Sequence, residues 1–261
     1  MKKIVLTVVL AMLFIIAAGC GNTHKAQDQT GGNVNLTIAA AASLQDALKE
    51  LADVYSKTHP DVTIDYNFAS SGTLQKQIEE GAPVDLFLSA GQKQMDAVAE
   101  KNLIDPTTRK DLLGNEMVLI VPQNSKLTQF DELTGAGITK ISIGTPETVP
   151  AGKYAKETLA SLNLWDRLQP KLVLAKDVRQ VLTYVETGNV DAGLVYKSDA
   201  MVGKNIKIAA IASADTHQPI VYPMAVIKST KYPEQAKAFA DFLASKEAAV
   251  SFKKYGFNPL L

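Results

Sequence analysis

Two stretches decide the fold: Val34-Asn35-Leu36-Thr37-Ile38-Ala39-Ala40-Ala41-Ala42-Ser43-Leu44 and, a little further on, Val62-Thr63-Ile64-Asp65-Tyr66-Asn67-Phe68-Ala69-Ser70-Ser71-Gly72-Thr73-Leu74. In each, a strand-forming run ends in serine and passes directly into a helical pattern, with no charged residue at the junction. The helix predicted over 43–58 carries Leu44, Ala47, Leu48, Leu51, Ala52 and Tyr55 on one face, and His59-Pro60 stops it. Strand, helix, strand, helix in this order predicts an α/β fold with mostly parallel strands.

The alternation continues along the chain. Val84 to Ser89 reads as a short buried strand and Gln92 to Glu100 as a helix. Met117 to Val121 is a strongly apolar strand ended by Pro122. Lys140 to Gly144, Leu172 to Leu174 and Ala192 to Tyr196 read as further strands, interleaved with helices over 151–162 and 178–187. Ile220 to Ile227 forms a strand with Pro223 inside it, which belongs at an edge or a crossing, and helices over 234–244 and 248–254 close the chain.

Composition narrows the function. Lysine plus arginine, 27, balances aspartate plus glutamate, 27, so no excess of positive charge invites nucleic acid. Met1-Lys2-Lys3 precedes an apolar run from Ile4 to Ala18 that closes on Gly19-Cys20. This is a secretory signal, too short to span a bilayer, which needs roughly 20 residues. Ala17-Ala18-Gly19-Cys20 resembles the lipobox of bacterial lipoproteins, in which the cysteine receives a lipid and becomes the new N-terminus. Cys20 is also the sole cysteine, so the exported protein has neither an internal disulfide nor a thiolate metal site. Residues 21–33 are polar and glycine-bearing, and read as a tether.

The junction serines carry the first functional signal. A helix N-terminus offers unpaired N–H groups and partial positive charge, and a serine there adds a hydroxyl donor. Thr148-Val149-Pro150-Ala151-Gly152-Lys153-Tyr154 and Lys176-Asp177-Val178-Arg179 open two further helices of the same character. Each alone is ordinary capping; together they suggest a pocket for an oxyanion. Tyr196 would emerge at the carboxyl end of a buried strand, where α/β sheets bind ligands. Lys153 and Arg179 are cationic but directly follow the proposed contacts, and are expected to point elsewhere on the first turn, into solvent. His24, His59 and His217 lie beside none of the serines, which argues against a hydrolytic triad, and Asp53, Asp61, Asp65 and Asp85 are too scattered for a metal cage.

In order, the segments at Ala40–Leu44, Phe68–Leu74, Gly81–Phe87, Val149–Ala155, Asp177–Arg179 and Val195–Ala200 resemble the bacterial molybdate-binding proteins of molybdate ABC importers, over about Val34 to Asn258. The resemblance implies a type II periplasmic-binding-protein fold: two α/β lobes joined by a two-strand hinge and closing on the ligand. Lobe I would comprise 34–117 and 222–261, and lobe II 118–221, with 1–20 the lipoprotein signal peptide. The strands over 117–121 and 220–227 would be the hinge. Carried over position by position, Ser43 and Ser71 would each give a hydroxyl and a backbone N–H, Ala151 and Val178 backbone N–H groups, and Tyr196 its hydroxyl. Gly72 stands where the family often has a third serine, which bears on loop stiffness rather than on binding.

The implied protein is not an enzyme and carries no cofactor; its ligand is molybdate or tungstate, and it has no direct metal ligands. Its expected partners are an ABC permease with its ATPase subunit, and the membrane, through a lipid on Cys20 that holds a monomer on the extracytoplasmic face. A site of donors alone favours a fully deprotonated dianion and penalises phosphate, whose proton would face another donor. Sulfate would be excluded by its smaller size. The alternatives are another tetrahedral oxyanion, such as sulfate or thiosulfate, and enzymes of the same fold such as deaminases with a cysteine-linked cofactor, for which no internal cysteine is present.

Overall fold

The computed structural model describes residues 33–260. The expected signal peptide, Cys20 and nearly all of the tether lie outside the described residues. Within them the chain builds two sheets, each flanked by helices, with one change of sheet in each direction.

The first sheet has six strands. They are β1 (Val34–Ala41), β2 (Val62–Ala69), β3 (Leu86–Leu88), β4 (Lys110–Gly114), β10 (Val221–Val226) and β11 (Asn258–Pro259), in the order β11-β4-β10-β3-β1-β2. The second has five strands: β5 (Met117–Pro122), β6 (Ile141–Gly144), β7 (Leu172–Ala175), β8 (Ala192–Tyr196) and β9 (Ile206–Ile211), in the order β7-β6-β8-β5-β9. The chain leaves the first sheet between Gly114 and Met117 and returns between Ile211 and Val221. Each sheet with its helices is one lobe: lobe I carries β1 to β4, β10 and β11, and lobe II carries β5 to β9.

Helices α1 (Gln45–Ser56), α2 (Ser71–Glu79), α3 (Gln92–Glu100), α8 (Pro233–Leu243) and α9 (Lys246–Lys254) belong to lobe I. Helices α4 (Pro150–Ser161), α5 (Trp165–Leu168), α6 (Val178–Glu186) and α7 (Lys197–Val202) belong to lobe II. The periodic face read from the sequence is the one α1 buries, with Ala47, Leu48, Leu51 and Tyr55 out of solvent. Met117 to Val121 is fully buried, as its unbroken apolar run requires for a strand covered on both faces.

The expectation of mostly parallel strands needs correction. Four strand pairings are parallel and five antiparallel. The antiparallel ones all involve β5, β10 or β11, which run against their neighbours after the chain changes sheet or comes to its end. Pro223 also departs from expectation, since β10 is an interior strand bonded to both β3 and β4. It is accommodated by a register shift between Tyr222 and Pro223, the irregularity that lets a residue without an N–H sit inside a sheet.

Five described elements escape the periodic reading, among them α5, a single turn of four residues. β4 begins with Lys110 and Asp111 and is too short and too charged to show alternation; β9 is half-exposed along its length; α7 is little more than one turn; β11 has two residues. The predicted helix from Ser43 is in fact a 3₁₀ turn, Ala42–Leu44, running into α1.

Candidate functional site

The carboxyl ends of β1, β2 and β8 and the starts of α2, α4 and α6 converge on one cavity between the lobes. Small residues make the convergence possible, since Ala41, Ala42, Ala69 and Ala90 line it from lobe I and let backbone approach closely. All five residues singled out from the sequence, Ser43, Ser71, Ala151, Val178 and Tyr196, line this cavity, and all are buried. Ser70, Val149, Pro150 and Asp177 complete its wall.

Each helix start is built by its own sequence. Ser70 adopts an extended conformation and its Oγ accepts from the Thr73 N–H at 3.3 Å, capping α2 so that Ser71 stands in the first turn. Val149 is extended and Pro150 takes the first helical position of α4, where its missing N–H costs nothing. Gly152 lets that turn sit on the end of β6: a Cβ there would lie 2.0 Å from the Gly144 carbonyl oxygen. Asp177 caps α6, its Oδ1 accepting from the Gln180 N–H at 2.8 Å. The carboxylate that lines the cavity is thereby committed to its own helix. First-turn N–H groups such as those of Ala151 and Val178 have no acceptor within their helices.

Ser71 is set up as a donor, and Ser43 is within reach of a second hydroxyl. The Ala90 N–H donates to Ser71 Oγ at 2.9 Å, occupying an acceptor position and leaving the Ser71 proton free to turn into the cavity. Ser43 Oγ lies 3.0 Å from the Tyr222 hydroxyl. The phenols of Tyr196 and Tyr222 are both buried, and burial pushes each well above the ordinary tyrosine value. Both therefore keep their protons at neutral pH.

No lysine or arginine is among the residues lining the cavity. Lys153, as expected, points away: its Nζ pairs with Glu157 Oε1 at 2.6 Å and sits 5.0 Å from the centre of the Tyr154 ring. Arg179 also turns from the cavity, but not into solvent. Its guanidinium bridges the lobes, pairing with Asp46 of α1 and, through Nε at 2.9 Å, with Asp199 of α7. Asp199 is fully buried, and burial pushes its carboxyl up to about 7 against the pull of Arg179.

Gly72 lies at the seam. Its N–H donates to the Thr148 carbonyl across the lobes at 3.0 Å, and a Cβ at position 72 would lie 2.5 Å from that oxygen. The residue read as a matter of loop stiffness is one that lets the lobes meet. Tyr222 and Asn115, which hold Ser43, carry no motif; the visible trace of Tyr222 is a polar-tipped residue inside an apolar strand, followed by Pro223. Among the described residues no group of three or more histidine, cysteine, aspartate or glutamate side chains could hold a metal ion.

The chain is similar to known proteins in sequence and in fold. The model of the family described as bacterial extracellular solute-binding protein matches residues 36–258. YvgL of Bacillus subtilis (strain 168), named among ABC transporter substrate-binding lipoproteins, is 49% identical over 98% of this chain and 98% of its own. The molybdate-binding protein ModA of Escherichia coli (strain K12) is 43% identical over 85% of this chain and 88% of its own. Among solved structures, the periplasmic molybdate-binding protein of Azotobacter vinelandii superposes with a TM-score of 0.78 at 25% identity, over 85% of this chain and 98% of that one. Two α/β lobes, a donor-lined cavity between them and a family match across nearly all of the described residues lead to one statement: the chain belongs to the bacterial extracellular solute-binding proteins.

Proposed function

We propose that this protein captures molybdate, and tungstate almost equally well, outside the cytoplasm and delivers it to an ABC importer composed of a permease and an ATPase subunit. The observation that carries the reading is the cavity itself: Ser43, Ser71, Tyr196 and the starts of three helices line one space from both lobes, with no lysine or arginine among the lining residues. The ModA relatives, which bind molybdate, support the choice of anion. The name of YvgL supports a lipid on Cys20 that keeps the protein at the membrane.

In this reading Ser43 and Ser71 donate from lobe I, Ala151 and Val178 donate their N–H groups from lobe II, and Tyr196 adds its phenol. The lobes turn about the crossings at 115–116 and 212–220, beside rather than within the strands over 117–121 and 220–227 expected as the hinge, which are interior strands of the two sheets, and closure is a population shift that the ligand drives by bridging donors on both sides. Neutral donors suit a carrier that must unload, because an arginine against the dianion would form bonds of roughly twice the strength.

A thermal-shift and calorimetric panel of oxyanions on the protein without residues 1–20 tests this. Molybdate and tungstate should stabilise it strongly, and a large excess of phosphate should not displace molybdate. Comparable binding of sulfate or phosphate would sink the size-and-protonation argument and favour another oxyanion as cargo.

A further inference from the structure

Ser43 can serve as a donor only if its hydroxyl proton is aimed, and a hydroxyl rotor left alone points in several directions. The structure holds it through a chain of two residues. Asn115 Nδ2 donates to the Tyr222 hydroxyl at 3.2 Å and to Ser198 Oγ at 2.9 Å, using both amide protons. Its Oδ1 accepts from the Glu116 N–H at 2.9 Å, which settles which end of the amide is the donor. The Tyr222 oxygen therefore already accepts one proton, and burial keeps its own proton in place. Its neighbour at 3.0 Å is Ser43 Oγ.

We infer that Asn115 and Tyr222 are positioning residues for the oxyanion: Asn115 donates to Tyr222, Tyr222 donates to Ser43, and Ser43 is left to donate into the cavity. The reverse sense would spend the Ser43 proton on a phenol oxygen that already accepts from Asn115, and would turn an acceptor toward an anion.

The location of the chain of donors adds to the inference. Asn115 lies in the crossing between Gly114 of β4 and Met117 of β5, and Tyr222 is the second residue of β10, just after the other crossing. Ser198, which shares the Asn115 amide, belongs to α7 of lobe II. The group that aims a lobe I ligand is thus built on one crossing and on the start of the strand that follows the other, and is tied to the opposite lobe. The Tyr222 ring is itself wedged edge-on between Tyr196, at 5.7 Å between centroids, and Phe257, at 5.5 Å. Its hydroxyl has little freedom to leave Ser43.

This inference rests on molybdate as the ligand, and a double-mutant cycle separates the two. Tyr222→Phe keeps the wedged ring and removes only the hydroxyl. By calorimetry it should weaken molybdate by roughly 3–10-fold, the ordinary range for one hydrogen bond. Combined with Ser43→Ala, it should add almost nothing, because the residue it orients is gone. Combined with Ser71→Ala, its effect should multiply in full, which a general loss of packing would not distinguish from the Ser43 case. Should Tyr222→Phe fold poorly, Asn115→Leu in the same two cycles must give the same pattern. If the wild-type protein binds molybdate and Tyr222→Phe either leaves the affinity unchanged or multiplies with Ser43→Ala, the positioning role is overturned alone. If the wild-type protein binds no molybdate, the functional reading falls and this inference with it.

Discussion

The two lobes face the same cavity with different chemistry. Lobe I presents the hydroxyls of Ser43, 3.0 Å from the Tyr222 hydroxyl, and of Ser71, whose oxygen accepts from the Ala90 N–H, together with the first turn of α2. Lobe II presents backbone at two points, through the first turns of α4 and α6, and adds the Tyr196 phenol. Side-chain donors need a supporting network; helix starts need only a cap, here Val149 with Pro150 and Asp177. The lesson is that truncating side chains should injure lobe I and barely touch the backbone half of lobe II, where only a change to the backbone can remove a donor.

The sharpest way to break that contrast is at Val178. Asp177 before it is extended, with φ −157° and ψ 172°, a conformation compatible with a following proline, and the first helical position tolerates proline well. Val178→Pro should therefore fold, yet it deletes the N–H and puts ring carbon in its place. Molybdate affinity should fall by about 3 kcal/mol or more, roughly 150-fold. Val178→Ala keeps the N–H and should leave affinity within a few-fold, although the lost methyl groups cost about 1–2 kcal/mol of stability. Equal loss of binding in both variants, measured by calorimetry, would mean that the side chain and not the N–H matters.

Next in size is the seam where the lobes touch. Gly72→Ala places a Cβ 2.5 Å from the Thr148 carbonyl oxygen of the other lobe, an overlap that separating the lobes would relieve. Overpacking of this kind costs about 1–3 kcal/mol, and the cost should appear in binding rather than in the melting of the ligand-free protein. Small-angle scattering of the molybdate-saturated variant should show a larger radius of gyration than wild type. An unchanged affinity would show that α2 or the turn at Thr148 yields readily.

The difference between the lobes also accounts for what could be read in the sequence. The strands that carry the site were legible because each apolar run at Ala40–Ala42 or Phe68–Ala69 ends in serine, and the starts of α4 and α6 were marked by Pro150 and Asp177. What escaped is long-range. β4 and β9 gain their identity from partners far along the chain, β10 over β4 and β5 beside β9, rather than from their own pattern. The local position of Arg179 on the first turn points it from the cavity and toward solvent; that it meets Asp46, 133 residues away in sequence, depends on where the fold brings the two lobes together. Tyr222 and Asn115 have no local pattern at all, since each acquires meaning only from Ser43, which lies across the chain.

The buried acids extend the comparison. In lobe I, Asp85 accepts from the Thr37 N–H at 2.7 Å and from the Thr230 hydroxyl at 2.5 Å. In lobe II, Asp199 is buried beside Arg179, and burial raises its carboxyl to about 7 from an ordinary 3.8. Between about pH 4 and 7 the folded protein then holds a proton that the unfolded chain has released, so this group makes stability fall as pH rises through that window and reach a plateau above it. Asp199→Asn removes the titration. The wild-type melting temperature should drop relative to that of the variant on going from pH 5 to 7.5, each 1 kcal/mol being worth about 2–4 °C in a chain of this size. Parallel melting curves against pH for the two proteins would show that Asp199 is ionised throughout, held so by Arg179.

The smallest effect is expected at Lys153, and it bears most directly on why the cavity uses neutral donors. Lys153 is in the first turn of α4, two residues after Ala151. Its ammonium is partly exposed and committed to Glu157, four residues along the same helix. Such a pair contributes at most about 0.5 kcal/mol to the helix. If the anion is gripped by oriented dipoles alone, Lys153→Met should change molybdate affinity by less than twofold, and raising the salt concentration should act alike on wild type and variant, because long-range attraction from one exposed charge is largely screened. A tenfold loss, or a salt dependence that disappears in the variant, would mean that lobe II supplies charge as well as N–H groups. The contrast between an armed set of hydroxyls and a bare set of helix starts would then have to include a third kind of donor.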